Sequence, residues 1–141
     1  MGTKQVNELI KEKEITICVD DSHKTTKNFL TTGAFTVSMV DAAHVVECDY
    51  VGVVSANDVP DKVAKAGFHV TKSEFVNAPL FEELPMALEC KVISYDKESC
   101  RLVGEIVNVS ADEKVLDENG KVGVKKSSGI AAISIGAMFF M

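Results

Sequence analysis

In two long stretches in the second half of the chain, residues 86–95 and 101–110, successive side chains alternate between two faces. This period of two predicts β-strands, and one face of each strand is apolar, as the wall of a barrel requires. The polar residues 96–99 between the two stretches predict a hairpin loop.

Shorter apolar segments predict the other elements of the chain. Residues 15–19 and 34–39 are predicted strands, and residues 24–31 are a predicted helix that Ser22 caps and Gly33 ends, with Phe29 and Leu30 facing inward. A right-handed crossover through this helix would lay the two strands in parallel. The remaining predictions are helices over 4–13, 41–54 and 59–66, a short strand over 68–70, a loop over 73–83, and a strand or buried tail over 130–141.

The composition suits a single globular domain over residues 1–141. Apolar residues make up 46% of the chain, which is enough to build a core. The formal net charge of −6, without a basic patch, argues against a nucleic-acid partner. The N-terminus lacks the apolar core of a signal peptide, and no apolar run reaches the length of a membrane span, so we expect a soluble cytoplasmic chain without a membrane partner.

The four cysteines and three histidines form no motif of catalysis or metal binding in the sequence. There is no CxxC pair, and no cysteine lies at metal-ligand spacing from a histidine. Each cysteine lies within or beside an apolar run, so we expect small buried thiols in a reducing compartment. No Ser-His-Asp pattern is present, and the acidic residues 112–118 lack the ligand order of an EF-hand. The sequence therefore predicts no catalytic side chains and no metal site.

A group of polar residues follows the first buried strand and opens a helix. Its members are Ser22, His23, Lys24, Thr25 and Thr26. A helix N-terminus offers free N–H groups and a partial positive charge, and hydroxyls with one cation would complete a phosphate site. The alternative is that Ser22 only caps the helix and that Lys24 is solvated. The neighbouring carboxylates of Asp20 and Asp21 would also repel a phosphate unless they point away.

This group resembles the phosphate-binding segment of the flavin reductase-like branch of the FMN-binding split-barrel proteins. In that family a basic residue, any residue, and Thr or Ser precede a helix that contains Phe-Leu. Lys24-Thr25-Thr26 fits that order and is followed by Phe29-Leu30. His23-Lys24-Thr25 fits it equally, one position earlier, so both registers are open.

Two further segments resemble the same family. Ser55 and Lys62 match a segment in which Gly-x-x-Ser-Gly precedes Lys-Phe, with Ala56 and Val63 in place of Gly and Phe. Residues 77–90 also match the family. Without the resemblance, the segment with Ser55 and Lys62 is interpreted as a helix end followed by a surface lysine. The resemblance covers roughly residues 15–121; residues 1–14 and 122–141 match poorly, and the family's usual N-terminal strands and C-terminal segment are not found.

The resemblance implies an α+β fold, a mostly antiparallel split β-barrel with peripheral helices. It implies FMN bound near residues 22–26, Ser55 and Lys62, and a homodimer in which both subunits border the flavin. The Lys62 ammonium would stabilise the negative charge of reduced flavin, after hydride transfer from NAD(P)H. One alternative is an electron-transfer flavoprotein of the same fold. Another is a degenerate domain with a structural role and no flavin. Asp20 and Asp21 would explain it, as would the absence of the family's N-terminal strands, which in that family lie along the flavin ring.

Overall fold

A computed structural model describes residues 3–5, 13–116, 118–119 and 138–140 of the protein. The strands in these ranges are β1 (Thr3–Gln5), β2 (Glu14–Cys18), β3 (Ala34–Met39), β4 (Val70–Lys72), β5 (Pro79–Phe81), β6 (Met86–Asp96), β7 (Arg101–Asp112) and β8 (Met138–Phe140). The helices are α1 (Lys24–Thr32), α2 (Val45–Val53) and α3 (Lys62–Lys65), with single 3₁₀ turns at Ala42–His44 and Glu113–Val115.

The hairpin of β6 and β7 is the longest pairing among the described residues and confirms the prediction from the alternating pattern. The two strands pair antiparallel from Met86 opposite Ala111 to Asp96 opposite Arg101. Two register irregularities, one after Glu89 and one after Val92, interrupt the ladder. Irregularities of this kind increase the local twist of a strand pair, which lets a long hairpin curve around a core.

The other strands of the main sheet add to the two edges of this hairpin. Across the described ranges the order is β1–β7–β6–β3–β8, with β2 also paired to β7, and every pairing is antiparallel. The sheet does not close on itself within those ranges, and β4 and β5 form a separate antiparallel pair. The helices lie outside the sheet order, so the predicted α+β, mostly antiparallel architecture is confirmed.

The predicted parallel arrangement of the first two buried strands is wrong. Strand β2 pairs with β7 and strand β3 pairs with β6, both antiparallel. The hairpin of β6 and β7 therefore lies between β2 and β3, which run in opposite directions. Helix α1 connects strands on the two sides of the hairpin and does not return the chain to a neighbouring parallel strand.

Helix α1 begins at Lys24 as predicted, but its N-cap residue is His23 and not Ser22. His23 occupies the N-cap position without a side-chain hydrogen bond to the helix, whereas the Ser22 N–H donates to Asp20 Oδ1 at 2.8 Å. The helix ends as predicted at Gly33, which has φ of 72° and donates its N–H to Phe29 O. Phe29 is fully buried, but Leu30 is 58% exposed, so the prediction that both face inward is right only for Phe29.

Several shorter predictions are shifted or replaced. The helix predicted over 41–54 is a 3₁₀ turn followed by α2, the helix over 59–66 is reduced to α3, and the short strand lies at β4, two residues later. Strand β5 lies inside the predicted loop 73–83. Residues 3–5 pair with β7 as a strand, which replaces the start of the helix predicted over 4–13. Residues 6–12 of that prediction lie outside the described residues, and Lys13 belongs to no helix or strand. In the predicted tail only β8 is described, and it is a strand.

Two apolar clusters hold the helices that carry the candidate site. Phe29 of α1 packs in the first cluster and meets the Tyr95 ring edge-on at 5.3 Å, while the Tyr95 hydroxyl donates to Val19 O at 2.7 Å. The second cluster holds α2 through Cys48 and Val51.

Among the described residues no helix combines the length and the apolar content needed to cross a bilayer.

Gly104 makes room for the ring of Phe35 on the inner face of the hairpin. Phe35 is fully buried, and a Cβ at position 104 would lie 2.4 Å from its Cζ. We therefore expect Gly104→Ala to lower the free energy of unfolding by about 1–3 kcal/mol, the usual effect of overpacking a core. Urea denaturation followed by far-ultraviolet circular dichroism measures the difference.

The matched control is Gly52→Ala. Gly52 lies inside α2, and a Cβ there meets no heavy atom within 4 Å. Because alanine is favoured over glycine in a helix interior, this variant should gain roughly 0.5–1 kcal/mol. If both variants unfold at the wild-type urea concentration, the close approach of Phe35 to β7 is not a constraint on the fold.

Candidate functional site

The two segments singled out in the sequence lie side by side in the structure. A small cavity of about 60 Å³ lies between the start of α1 and the end of α2. Its lining includes His23, Lys24, Thr25, Ser55 and Lys62. Five of the seven predicted site residues therefore meet at one place, although more than 25 positions separate the two segments.

A larger cavity adjoins the small one. It has a volume of about 310 Å³ and shares Lys24, Thr25, Ala56 and Lys62 with its neighbour. The rest of its lining is mostly apolar and consists of Asn28, Pro60, Val63, Val70, Pro79 and Phe81. The two spaces together are called the Lys24–Lys62 cavity below. Polar and cationic groups at one side and apolar side chains at the other suit a ligand with a phosphate and a flat ring.

The N-terminus of α1 faces this cavity without a side-chain cap. His23 at the N-cap forms no side-chain hydrogen bond to the helix, and no acidic residue lies in the first turn. The first N–H groups of a helix have no partner inside the helix and carry a partial positive charge. The exposed Lys24 and the half-buried Thr25 add an ammonium and a hydroxyl at the same point, so the start of α1 can receive an anion.

Ser22 and Thr26 have different surroundings from the other members of the predicted group. Thr26 is 1% exposed, and its hydroxyl donates to Asp20 O at 2.5 Å. Ser22 is exposed, and its carbonyl accepts a hydrogen bond from Asn57 Nδ2 at 3.0 Å. Neither residue lines the Lys24–Lys62 cavity. Thr26 thus stabilises the turn that leads into α1, and its hydroxyl is not free to meet a ligand.

The carboxylates of Asp20 and Asp21 do not line the cavity, because each has a partner elsewhere. Asp20 accepts the Ser22 N–H, and this backbone hydrogen bond holds the pKa of Asp20 below its ordinary value. Asp21 Oδ2 lies 3.3 Å from the Lys97 ammonium. Because neither carboxylate lines the cavity, they repel a phosphate there less than the sequence suggested.

Lys62 is held against the end of α2. Its ammonium donates to Val51 O at 2.6 Å and to Val54 O at 2.7 Å. These carbonyls belong to the last turn of the helix, where the partial charge is negative. The side chain is half-buried, and burial lowers the pKa of Lys62 from its ordinary value. Lys62 is therefore a positioned cation at the cavity wall, not a solvated surface lysine.

Asn57 joins the two segments and was missed in the sequence. Its side-chain amide donates to Ser22 O, and its backbone N–H donates to Ser55 Oγ at 3.1 Å. The loop after α2 is thereby tied to the loop before α1. The polar turn Ser55-Ala56-Asn57-Asp58 was the available signal, but an asparagine in a turn does not reveal a partner 35 positions away.

Two cysteines match the expectation of buried thiols and two do not. Cys48 and Cys90 are buried, and burial raises the pKa of each thiol to about 12. Cys18 is exposed and Cys100 is half-buried. All four are free cysteines, and none lines the Lys24–Lys62 cavity.

One group among the described residues could hold a metal ion. His69, Glu82 and Glu83 bring one ligand atom each to within 4.8 Å of one another. Glu83 already accepts the His69 N–H at 2.7 Å and meets His69 Nδ1 at 2.6 Å, and these contacts raise the pKa of His69. The group lies outside the Lys24–Lys62 cavity, so it adds nothing to that site.

Comparison with known proteins gives matches in both sequence and structure. The sequence model of the "Flavin reductase like domain" family matches residues 13–125. Comparison with curated proteins gave no significant match. Among solved structures, the flavoredoxin of Desulfovibrio vulgaris (Miyazaki F) is 32% identical with a TM-score of 0.76, over 81% of this chain and 61% of that one.

Two further solved structures have the same fold. A flavoredoxin from Methanosarcina acetivorans is 28% identical with a TM-score of 0.75, over 90% of this chain and 66% of its own. An FMN-binding domain of a flavin reductases-like enzyme from Shewanella baltica is 20% identical with a TM-score of 0.73, over 81% of this chain and 61% of its own, and it shows the fold alone.

The chain spans about three-fifths to two-thirds of the length of these solved structures. The mostly antiparallel sheets with outlying helices match these neighbours, so the predicted split-barrel fold class is confirmed, although the main sheet is open within the described ranges. The family model covers well over half of the chain, and together with the flavoredoxin match it shows that the chain belongs to the flavin reductase-like domain family.

Proposed function

We propose that the chain is an FMN-binding flavoprotein, similar to flavin reductases, in which hydride passes from NAD(P)H to the flavin. The observation that carries this proposal is that Lys24, Thr25 and Lys62 line both parts of one cavity. Membership of a flavin-binding family supports the choice of ligand. The modest volume of about 310 Å³ favours FMN over the larger FAD.

The phosphate of FMN would lie at the start of α1. The Lys24 ammonium, the Thr25 hydroxyl and the uncapped N–H groups of the first turn would bind it. The commitment of the Thr26 hydroxyl to Asp20 O supports the register in which His23-Lys24-Thr25 is the phosphate segment. Thr26 then acts only through the turn that it stabilises.

The ring system would lie on the apolar side of the cavity. Pro60, Val63, Pro79 and Phe81 line this side and exclude water from a flat aromatic group. When bound, the flavin would supply the hydride-accepting chemistry, so the chain needs no acid–base pair of its own. The described residues contribute binding, orientation and charge.

Lys62 would respond to the charge that the flavin gains on reduction. Its ammonium is fixed by Val51 O and Val54 O, so it need not reorganise when that charge appears. A positioned cation of this kind favours the reduced form over the oxidised form, because the interaction strengthens only when the negative charge is present.

A second candidate function is electron transfer to or from a protein partner by the same fold. The observation that favours it is that two of the similar solved structures are flavoredoxins. NAD(P)H-dependent bleaching of the bound flavin under anaerobic conditions separates the two functions. Bleaching at catalytic rates supports the reductase, whereas a flavin that only chemical reductants bleach supports electron transfer.

We also propose that the protein is a cytoplasmic homodimer. The open main sheet and the exposed α2 side chains Val46 and Val53, which are 78% and 77% exposed, leave apolar surface for a second copy to cover. The four free cysteines suit a reducing compartment. Multi-angle light scattering at micromolar concentration tests the assembly, and a stable monomer contradicts it.

Thr25→Ala should weaken FMN binding through the phosphate. Loss of one hydroxyl donor to a charged group is worth about 1.5–3 kcal/mol, or roughly ten- to a hundredfold in affinity. Riboflavin, which lacks the phosphate, should bind both proteins alike. Fluorescence titration of each flavin measures the two affinities.

The control for this change is Thr31→Ala. Thr31 lies near the other end of α1, is exposed and donates its hydroxyl to Lys27 O. This variant should bind FMN like the wild type. If Thr25→Ala binds FMN with unchanged affinity, or loses riboflavin binding to the same extent, the phosphate does not lie at the start of α1. If the wild type binds no flavin at all, the structural role without flavin replaces the proposed function.

Lys62→Met should lower the reduction potential of bound FMN and leave the affinity for oxidised FMN nearly unchanged. If the variant loses about 1.4 kcal/mol of the stabilisation of reduced flavin, the reduction potential falls by roughly 30 mV for a two-electron couple. Spectroelectrochemical titration of the FMN-saturated proteins measures the shift. Lys65→Met is the control, since Lys65 is exposed and pairs with Asp61. Equal potentials in the wild type and Lys62→Met would assign Lys62 a structural role at the end of α2.

A further inference from the structure

A second cavity lies at the far end of α1, away from the uncapped N-terminus. Its volume is about 490 Å³, and Thr32 and Gly33 line one side of it. Ala34, Lys72 at the end of β4, loop residues 73–77 and Lys91 of β6 complete the lining. It is called the Lys72–Lys91 cavity below. Helix α1 has nine residues and is about 13 Å long, which sets the separation between its two ends.

The Lys72–Lys91 cavity carries positive charge in an acidic protein. Both lysines are exposed, and neither forms an ion pair with another described residue. Glu74 is the one carboxylate in the lining, so two ammonium groups face a single negative charge. Two ammonium groups beside one carboxylate can attract an anionic ligand to this cavity, although the net charge of the chain is −6.

A buried carboxylate holds the loop that follows Lys72 in place. Ser73 is 5% exposed and its hydroxyl accepts the N–H groups of Phe75 and Val76, at 3.0 and 3.1 Å. The same hydroxyl donates to Glu89 Oε1 at 2.6 Å, and Glu89 is 1% exposed. The loop that follows Lys72 is therefore fixed to the sheet before any ligand binds, which reduces the entropy lost on binding.

The Glu89 carboxylate is hydrogen-bonded inside the protein and does not line the Lys72–Lys91 cavity. Its Oε2 accepts hydrogen bonds from Ser110 Oγ at 2.8 Å and from Asn108 Nδ2. With Ser73 on the other oxygen, the carboxylate has three donors. Glu89 is thus an anchor for the cavity wall, and it does not line the cavity.

The remaining lining suits a nucleoside. Phe75 is 43% exposed and offers an aromatic face, and Asn77 and Thr32 add an amide and a hydroxyl. The volume lies within the usual range for small-molecule sites. A base can stack on an aromatic side chain, while ammonium groups bind the phosphates.

The two cavities flank the same pair of strands. Lys72 of the second cavity is directly opposite Pro79 of the Lys24–Lys62 cavity in the ladder between β4 and β5. Because paired residues in an antiparallel ladder are about 5 Å apart, one elongated molecule can reach both cavities across this pair.

We propose that the Lys72–Lys91 cavity binds the phosphate-bearing adenosine of NADPH and that its two lysines select NADPH over NADH through the 2′-phosphate. This inference rests on the proposed hydride transfer, in which a nicotinamide must reach the flavin. Each lysine contacts the one group that distinguishes the two nucleotides.

The experiment is isothermal titration calorimetry of the FMN-free protein with NADP⁺, NAD⁺, 2′-AMP and 5′-AMP. NADP⁺ and 2′-AMP should bind about tenfold more tightly than NAD⁺ and 5′-AMP, and about 0.5 M NaCl should reduce this difference because salt screens exposed charges. In the variant Lys72→Gln/Lys91→Gln, the affinity for NADP⁺ should fall to that for NAD⁺. Both lysines are exposed, so the variant should keep the wild-type melting temperature.

The matched control is Lys27→Gln, which removes one exposed ammonium of α1 that lines neither cavity. It should leave the preference for NADP⁺ unchanged. Equal binding of NADP⁺ and NAD⁺ by the wild type, or a preference that survives the double variant, overturns the assignment. Equal binding of 2′-AMP and 5′-AMP also overturns it, because the cavity would then bind any nucleotide monophosphate without recognising the 2′-phosphate. The titration needs no flavin, so its result is independent of whether the protein holds FMN.

Discussion

The antiparallel ladder between β6 and β7 is the interaction on which the rest of the structure depends. It joins an 11-residue strand to a 12-residue strand, and both edges of this hairpin receive other strands. Strand β2 and strand β1 add to β7, while β3 adds to β6. The hairpin is local in sequence, so it can form early and present two edges to segments that are far away along the chain.

The candidate site is built from two helix ends of opposite character. The start of α1 has a partial positive charge and no side-chain cap, whereas the negative end of α2 is neutralised by the Lys62 ammonium. Asn57 ties the two ends together through Ser22 and Ser55. An anion therefore meets positive groups from two elements whose relative position is set by hydrogen bonds as well as by packing.

The buried carboxylate of Glu89 links the sheet to the loop between β4 and β5. A buried charge is costly unless it is hydrogen-bonded, and here Ser73, Asn108 and Ser110 supply the donors. The result is a fixed polar connection beneath the Lys72–Lys91 cavity. Ser73, Glu89 and Asn108 are all buried, so this connection is shielded from water.

The sequence by itself determined the elements whose signals are local. The alternating pattern predicted β6 and β7, and Gly33 predicted the end of α1, because side-chain period and backbone preference act within a few residues. The family motifs also pointed to Lys24, Thr25, Ser55 and Lys62 as one group.

Only the tertiary structure decided which strands pair, which polar groups are buried and which side chains face a cavity. It separated β2 from β3 by a hairpin, buried Thr26 and Glu89, and brought Lys72 to the same cavity as Lys91. The physical reason is that these properties depend on contacts between residues far apart in the chain, which no local pattern of side chains encodes.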